Sequence, residues 1–194
     1  MNLSARFEHV CVPTQTTDAY FRAITTNTSS YRLLQGPMNV YMNNFFIASS
    51  NLRETGPKEV FKLYLGIDDG IKVEHQPNVL AEKEQGGMPF GRKTKLETTT
   101  LTTIIKNLKD TPVRVLVFYQ KPFTSNADLK IKIEEPRTSN NPEVKVDEFN
   151  ILSFENVIPP KKDYTCSFKY SMEYPVELKL TSTPQRGVKG EMRI

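Results

Sequence analysis

The chain has 194 residues, of which 38% are hydrophobic and 25% charged, so it can bury one sizeable core or two small ones. It contains no run of about 18 apolar residues, which excludes a membrane-spanning helix. The N-terminus, MNLSARFEHV, has no apolar signal core, so we expect a cytoplasmic protein. The net charge of +4 includes no dense basic stripe, which argues against nucleic-acid binding.

Short β-branched and aromatic segments separated by turn signals predict strands in the first half of the chain. The predicted strands are 7–12, 19–26, 38–42, 45–48, 58–65 and 71–73. Asn43-Asn44 and Asp69-Gly70 can adopt the positive φ of tight turns. Residues 77–95 are polar and glycine-rich, which predicts a loop with weak helical character only at 80–85.

The stretch 99–122 is the centre of the predicted fold. Two β-branched runs, 101–105 and 113–119, flank the turn residues 107–112 and predict an antiparallel hairpin. The second run is apolar on both faces. We therefore expect it at the centre of a sheet, with a second layer packed over it.

The rest of the chain continues the β pattern. Strands are predicted at 129–133, 149–154, 164–170 and 176–180, and no internal repeat is visible. About eleven short strands with almost no helix predict an all-β fold, namely an immunoglobulin-like β-sandwich with an additional N-terminal β lobe. The predicted domains are an N-terminal β lobe and linker (1–92), the immunoglobulin-like sandwich (93–181) and a disordered tail (182–194).

Candidate metal ligands are few. His9 and Cys11 share one strand face, and Asp68-Asp69 lies near Glu74. A zinc site needs three or four ligands and a calcium loop needs a longer pattern, so neither group predicts a metal. With only two histidines in the chain, a Ser-His-Asp or Cys-His nucleophile is also disfavoured. We predict no catalytic, cofactor-binding or metal-binding residues.

The segment GGMPFGRKT begins like a phosphate-binding loop. Gly86 and Gly91 have the required spacing, but Arg92 stands where lysine is needed, and β-rich sequence follows instead of a helix. We interpret the segment as a flexible linker.

The two cysteines are far apart in sequence. Cys166 alternates with Tyr164 and Phe168, which places it on a core face. We expect Cys11 and Cys166 to be reduced and buried, with a disulfide between them as the alternative.

Seven aromatic side chains lie at strand spacing. We interpret them as core residues rather than a platform for stacking bases or sugars. They are Tyr41, Phe45, Phe46, Phe61, Tyr64, Phe118 and Tyr119.

Five short motifs follow one another in a recognisable order. They are Pro13 after the first strand, Leu33-Leu34-x-Gly36-Pro37 before a hairpin, Leu65-Gly66-Ile67-Asp68, Asn107 after a β-branched strand, and Tyr174-Pro175. Over roughly residues 5–180 the chain resembles the C-terminal β domain of the mucoidy-inhibitor-A-like family, a domain of unknown function found in bacteria and eukaryotes.

Full-length members of that family look like an N-terminal β domain, a coiled-coil stretch and then this domain. The resemblance therefore implies a truncated member here. It implies no established catalytic or binding residues.

These observations favour a non-enzymatic β-sandwich module for protein interaction or structural scaffolding, with no cofactor. We expect it to bind a protein partner, or to self-associate, through an exposed β edge at Phe7–Val12 or Ala19–Thr26. Two alternatives stay open. One is part of a hydrolase whose site needs the missing N-terminal region, and the other is a carbohydrate-binding module.

Overall fold

The computed structural model describes residues 4–42, 44–85, 93–136 and 144–178. This part of the chain forms strands and contains no helix, so the predicted all-β sandwich class is confirmed. The strands are β1 (Ala5–Cys11), β2 (Ala19–Thr26), β3 (Gly36–Met42), β4 (Phe45–Leu52), β5 (Val60–Ile67), β6 (Ile71–Gln85), β7 (Thr94–Asn107), β8 (Val113–Gln120), β9 (Lys130–Glu135), β10 (Val144–Val146), β11 (Ile151–Ile158) and β12 (Asp163–Pro175).

Two sheets pack face to face around one core. The larger has six strands in the order β10-β11-β8-β1-β2-β5, and the smaller has four in the order β6-β7-β12-β9. Val115, Val117 and Tyr119 of the larger sheet share a buried cluster with Ile105 and Phe168 of the smaller one. Burial of this apolar surface between the two layers is the main force that holds the sheets together.

The predicted hairpin between the runs 101–105 and 113–119 is wrong. β7 pairs with β6 and β12 in one sheet, whereas β8 pairs with β1 and β11 in the other. The turn after Asn107 therefore carries the chain from one layer to the other. The predicted central position of β8 is confirmed: Val117 faces the core between the sheets, and Phe118 lies in a second apolar cluster on the outer face.

The predicted open edge at β1 and β2 is wrong for most of their length. β2 lies between β1 and β5, and residues 9–11 of β1 pair with both β8 and β2, whereas residues 5–8 pair with β2 alone. Both sheets draw strands from either side of residue 93, the predicted domain boundary.

The predicted loop at 77–95 is largely strand. β6 continues to Gln85 and β7 starts at Thr94, and the two pair along most of their length. Residues 86–92 and the predicted tail from 182 onward lie outside the described residues.

The fold contains an internal repeat that sequence analysis missed. Strands β1, β2 and β5 pair antiparallel side by side, and so do β6, β7 and β12. The middle strand of each triplet leads into a buried asparagine, Asn27 after β2 and Asn107 at the end of β7. The backbone N–H of Asn27 donates to the carbonyl of Glu59 at 2.9 Å, and that of Asn107 donates to Lys162 at 3.0 Å.

The turn before the third strand is also shared between the repeats. It contains Pro57-Lys58 before β5 and Pro160-Lys161 before β12. Both lysines adopt positive φ, 63° and 55° respectively. Because positive φ is uncommon for lysine, the same unusual backbone at both turns supports the equivalence of the two repeats.

A pair of antiparallel strands is inserted at the same point of each repeat. Leu33, six residues after Asn27, bridges to Thr55, and Val113, six residues after Asn107, pairs with Ile158. In the first repeat the ladder resumes in register three residues further along each strand, where Gly36 pairs with Leu52. Hairpin β3–β4 therefore corresponds to the pair β8–β11.

Candidate functional site

A polar cluster lies where the two sheets meet at one end of the sandwich. We call His9, Asp68 and Lys109 the His9 cluster. His9 Nε2 lies 2.8 Å from Asp68 Oδ2, and Lys109 Nζ donates to the same oxygen at 2.6 Å. His9 belongs to β1, Asp68 to the β5–β6 turn and Lys109 to the β7–β8 connection. The cluster therefore ties three separate parts of the chain together.

Electrostatics keeps the His9 cluster in one protonation state near neutral pH. Burial lowers the pKa of His9, and the hydrogen bond with Asp68 offsets only part of this effect. Burial acts to raise the pKa of Asp68, but hydrogen bonds from Lys109, His9 and the Gly70 N–H outweigh it and hold that pKa at about 2. A neutral imidazole therefore donates to a carboxylate.

A histidine oriented by a carboxylate can serve as a general base. The His9 ring is almost fully buried, and Phe21 stacks on it at a centroid distance of 4.9 Å. A general base must come within hydrogen-bond reach of the proton that it removes. In this structure the His9 ring is instead enclosed by the fold, between Asp68 and Phe21.

Of the candidate metal ligands, the structure brings together only His9 and Asp68 among the described residues. Cys11 points into the core, while His9 binds Asp68. Glu74 pairs instead with Lys106 at 2.5 Å. Within the described ranges, no group of three or more His, Cys, Asp or Glu residues is placed to hold a metal ion. The phosphate-loop candidate at 86–92 lies outside the described residues.

Both cysteines are free and buried, as predicted. They lie in the same core cluster, Cys11 in the larger sheet and Cys166 in the smaller one. Burial raises the pKa of each thiol to about 12. Since the thiolate is the reactive form, both cysteines are unreactive near neutral pH.

A buried polar chain also crosses the core beside these cysteines. The ring of His75 lies 2.9 Å from the Thr103 hydroxyl, which hydrogen-bonds to the Tyr119 hydroxyl. Burial raises the pKa of Tyr119. The Thr103 and Tyr119 hydroxyls are buried and hydrogen-bonded to each other, whereas the His75 ring is only half-buried.

Hairpin β3–β4 forms a sheet of its own and carries an exposed aromatic tip. Tyr41, Phe45 and Phe46 are 61%, 74% and 57% exposed, although the sequence predicted them as core residues. Asn44 adopts the predicted positive φ in the turn between the strands. No charged residue occurs anywhere between Gly36 and Leu52. We call Tyr41, Phe45 and Phe46 the aromatic tip.

The other four predicted core aromatics divide by position. Phe118 and Tyr119 of β8 are buried, as predicted, while Phe61 and Tyr64 of β5 are half-buried. The spacing along each strand therefore identified which aromatic side chains share a strand face. It did not show whether a second sheet covers that face.

Residues 2–176 match a family described as a domain of unknown function, DUF4139. The chain belongs to this family. The match runs from before β1 to just beyond β12, so the DUF4139 domain includes both sheets and both repeats.

A relative of this DUF4139 chain occurs in Caenorhabditis elegans and is described as Protein F37C4.5. The two are 25% identical over 181 residues, which cover 89% of the chain and 32% of the relative. The chain thus spans about a third of that relative's length. No solved structure matches the chain significantly. In the described part of the DUF4139 domain, no helix is long and apolar enough to cross a membrane.

Proposed function

We propose that this DUF4139 chain is a non-enzymatic β-sandwich module that binds another protein through hairpin β3–β4. The observation that carries the proposal is the aromatic tip, with three large side chains more than half exposed on a charge-free hairpin. We also propose, from the order of the sequence motifs, that this is the domain found in mucoidy-inhibitor-A-like proteins.

Hairpin β3–β4 forms a sheet of only two strands. An isolated two-stranded hairpin is at best marginally stable in water. Contiguous exposed apolar side chains commonly mark interaction surfaces, and tyrosine is enriched among the residues that dominate binding energy. A protein partner that covers Phe45 and Phe46 would remove their apolar surface from water and stabilise the hairpin.

The alternatives receive less support. A sugar-binding platform requires coplanar exposed rings, whereas Tyr41 and Phe46 meet edge to face at an interplanar angle of 72°. A hydrolase needs polar groups that converge on an open cleft, and in the His9 cluster the imidazole is buried.

Site-specific photo-crosslinking tests the proposal. A photoreactive phenylalanine analogue replaces Phe45 in one variant and Phe149, a comparably exposed phenylalanine outside the hairpin, in the matched control. We expect a discrete crosslinked protein product from position 45 and none from position 149. The absence of a product at position 45, or equal products at both positions, would contradict the proposal.

A further inference from the structure

We infer that the outer edge of β4 pairs antiparallel with β4 of a second copy of this chain. The inference rests on the proposed function and names the partner of hairpin β3–β4. Its starting point is the internal repeat, in which β3–β4 corresponds to β8–β11. The strand pair β8–β11 shows which strands can pair with each outer edge of hairpin β3–β4.

In the second repeat both outer edges are occupied. β8 pairs in parallel with β1, and β11 pairs antiparallel with β10, where Leu152, Ser153 and Phe154 meet the short strand. The equivalent positions in the first hairpin are Ser49, Ser50 and Asn51 of β4. Among the described residues, β3 is the only strand that hydrogen-bonds to β4, although β5 also passes close to it. The edge that receives β10 in one repeat therefore has no hydrogen-bonded strand in the other.

The outer edge of β3 is less suited to pairing. In β8, Leu116 and Val117 pair with β1, and their equivalents in β3 are Gly36 and Pro37. Proline has no N–H to donate and is a common way of protecting an edge strand. Pairing of the hairpin with a new strand is therefore directed to β4.

Composition separates β4 from the other edge strands of the described fold. β5, β6, β9 and β10 all contain charged residues, and β6 also contains Pro77. β4, FFIASSNL, contains neither a charged residue nor a proline. Natural edge strands usually carry such residues because they prevent association. Their absence along all of β4 marks it as a pairing edge.

A second copy fits this edge for two reasons. Two identical strands related by a two-fold axis must run antiparallel, which is the sense in which β10 meets β11. Because β4 has no charge, self-pairing brings no like charges together. The pairing joins two hairpins into one four-stranded intermolecular sheet, with an aromatic tip at each end.

A matched pair of lysine substitutions tests the inference. Ser49 of β4 and Asn39 of β3 are cross-strand partners, and Ser49 Oγ donates to Asn39 Oδ1 at 2.8 Å. Ser49→Lys and Asn39→Lys therefore break the same hydrogen bond and add the same charge, and they differ in the outer edge on which the charge lies. Sedimentation of the whole chain gives the dimer dissociation constant of each variant.

We expect the unsubstituted chain to dimerise and Ser49→Lys to raise the dissociation constant at least about tenfold, through like-charge repulsion across the two-fold axis. Asn39→Lys should stay close to the unsubstituted value. Equal weakening by both substitutions, or no weakening by Ser49→Lys, would overturn the inference, and so would a chain that is monomeric at every concentration.

Hydrogen exchange on the unsubstituted chain gives a second readout that needs no variant. Amide protection of β4 should rise with protein concentration while that of β3 stays constant. Concentration-independent exchange in β4 would refute the pairing. If the chain is monomeric but position 45 still crosslinks to a different protein, the inference fails and the proposed function stands. If it is monomeric and position 45 gives no product, both fail.

Discussion

Asn27 and Asn107 bind the backbone in the same way in the two repeats. The side-chain Nδ2 of each lies within hydrogen-bonding distance of three carbonyl oxygens, those of Tyr31, Thr55 and Gly56 for Asn27 and those of Thr111, Ile158 and Pro159 for Asn107. The Oδ1 of each accepts the N–H two residues later, from Ser29 or Lys109. Each amide thus connects the start of an inserted strand pair to the turn that follows its end.

Removal of either amide should be strongly destabilising. Asn27→Ala or Asn107→Ala removes a buried amide together with all of its hydrogen bonds to the backbone, so we expect each to lower the free energy of unfolding by about 2–4 kcal/mol in a urea titration. Asn78→Ala, at an exposed position on β6, serves as the control and should change it by less than about 0.5 kcal/mol. A large loss at only one of the two buried positions would count against their equivalence.

The sequence predicted the class of the fold and the position of β8, because a strand that is apolar on both faces must be covered on both. It did not predict the partners of that strand. Sequence neighbours pair only about two-thirds of the time. β7 and β8 are an exception, since Asn107 binds the carbonyls of Ile158 and Pro159 in a distant turn and the chain changes sheets after it.

The aromatic tip shows why the candidate site was only partly predictable. Alternation along a strand tells which side chains share a face, but it does not tell whether a second layer covers that face. Phe118 and Phe45 each lie in a strand beside another aromatic residue, yet the first is buried and the second exposed. The absence of charge between Gly36 and Leu52 was the available signal, because a solvent-facing hairpin normally carries charged side chains.

Glu8 and Arg22 form a buried ion pair, although the sequence analysis predicted that both charges lie on an exposed strand edge. Glu8 Oε1 lies 2.6 Å from Arg22 Nε, with side-chain exposures of 1% and 3%. Glu8→Ala leaves a buried guanidinium without this counter-charge, so we expect a loss of about 3–5 kcal/mol in unfolding free energy. The double variant Glu8→Leu/Arg22→Met should recover most of that loss.

An exposed pair of the same length provides the control for this prediction. Arg32 and Glu54 are also 2.6 Å apart, but both are exposed to solvent. Glu54→Ala should cost less than about 1 kcal/mol. If the two glutamate variants lose equal stability, burial is not what sets the strength of the Glu8–Arg22 pair.

Core packing predicts that truncation to alanine costs more stability at Val117 than at Lys132. Val117 is fully buried between the sheets, whereas Lys132 on β9 is exposed. Val117→Ala leaves a cavity as well as losing apolar burial, so we expect a loss of about 1–3 kcal/mol. Lys132→Ala should cost less than about 0.5 kcal/mol in the same denaturant titration. Similar losses at both positions would contradict the burial of Val117.

The His9 cluster should make stability depend on pH in two separate windows. Burial lowers the pKa of His9 below its ordinary 6.5. As the pH falls, the unfolded chain therefore binds a proton at His9 before the folded chain does. Stability is therefore lost as the pH falls below about 6.5. The contribution of Asp68 to stability changes at lower pH, because its folded pKa of about 2 lies below its ordinary value of 3.8.

The direction in which stability changes with pH at Asp68 follows from its lowered pKa. The carboxylate contributes stability above pH 3.8, and the contribution is lost as the pH falls from 3.8 towards 2. Because Asp68 is partly exposed and solvent screens it, we expect this contribution to be on the order of 1 kcal/mol. Asp68→Asn should be less stable than the unsubstituted chain at pH 7 and lose less further stability between pH 4 and pH 2, as measured by urea titrations at each pH.

Asp69→Asn, at an exposed position in the same turn, is the control and should follow the profile of the unsubstituted chain. An unchanged acid slope in Asp68→Asn would show that the contacts of Asp68 with His9 and Lys109 do not stabilise the fold.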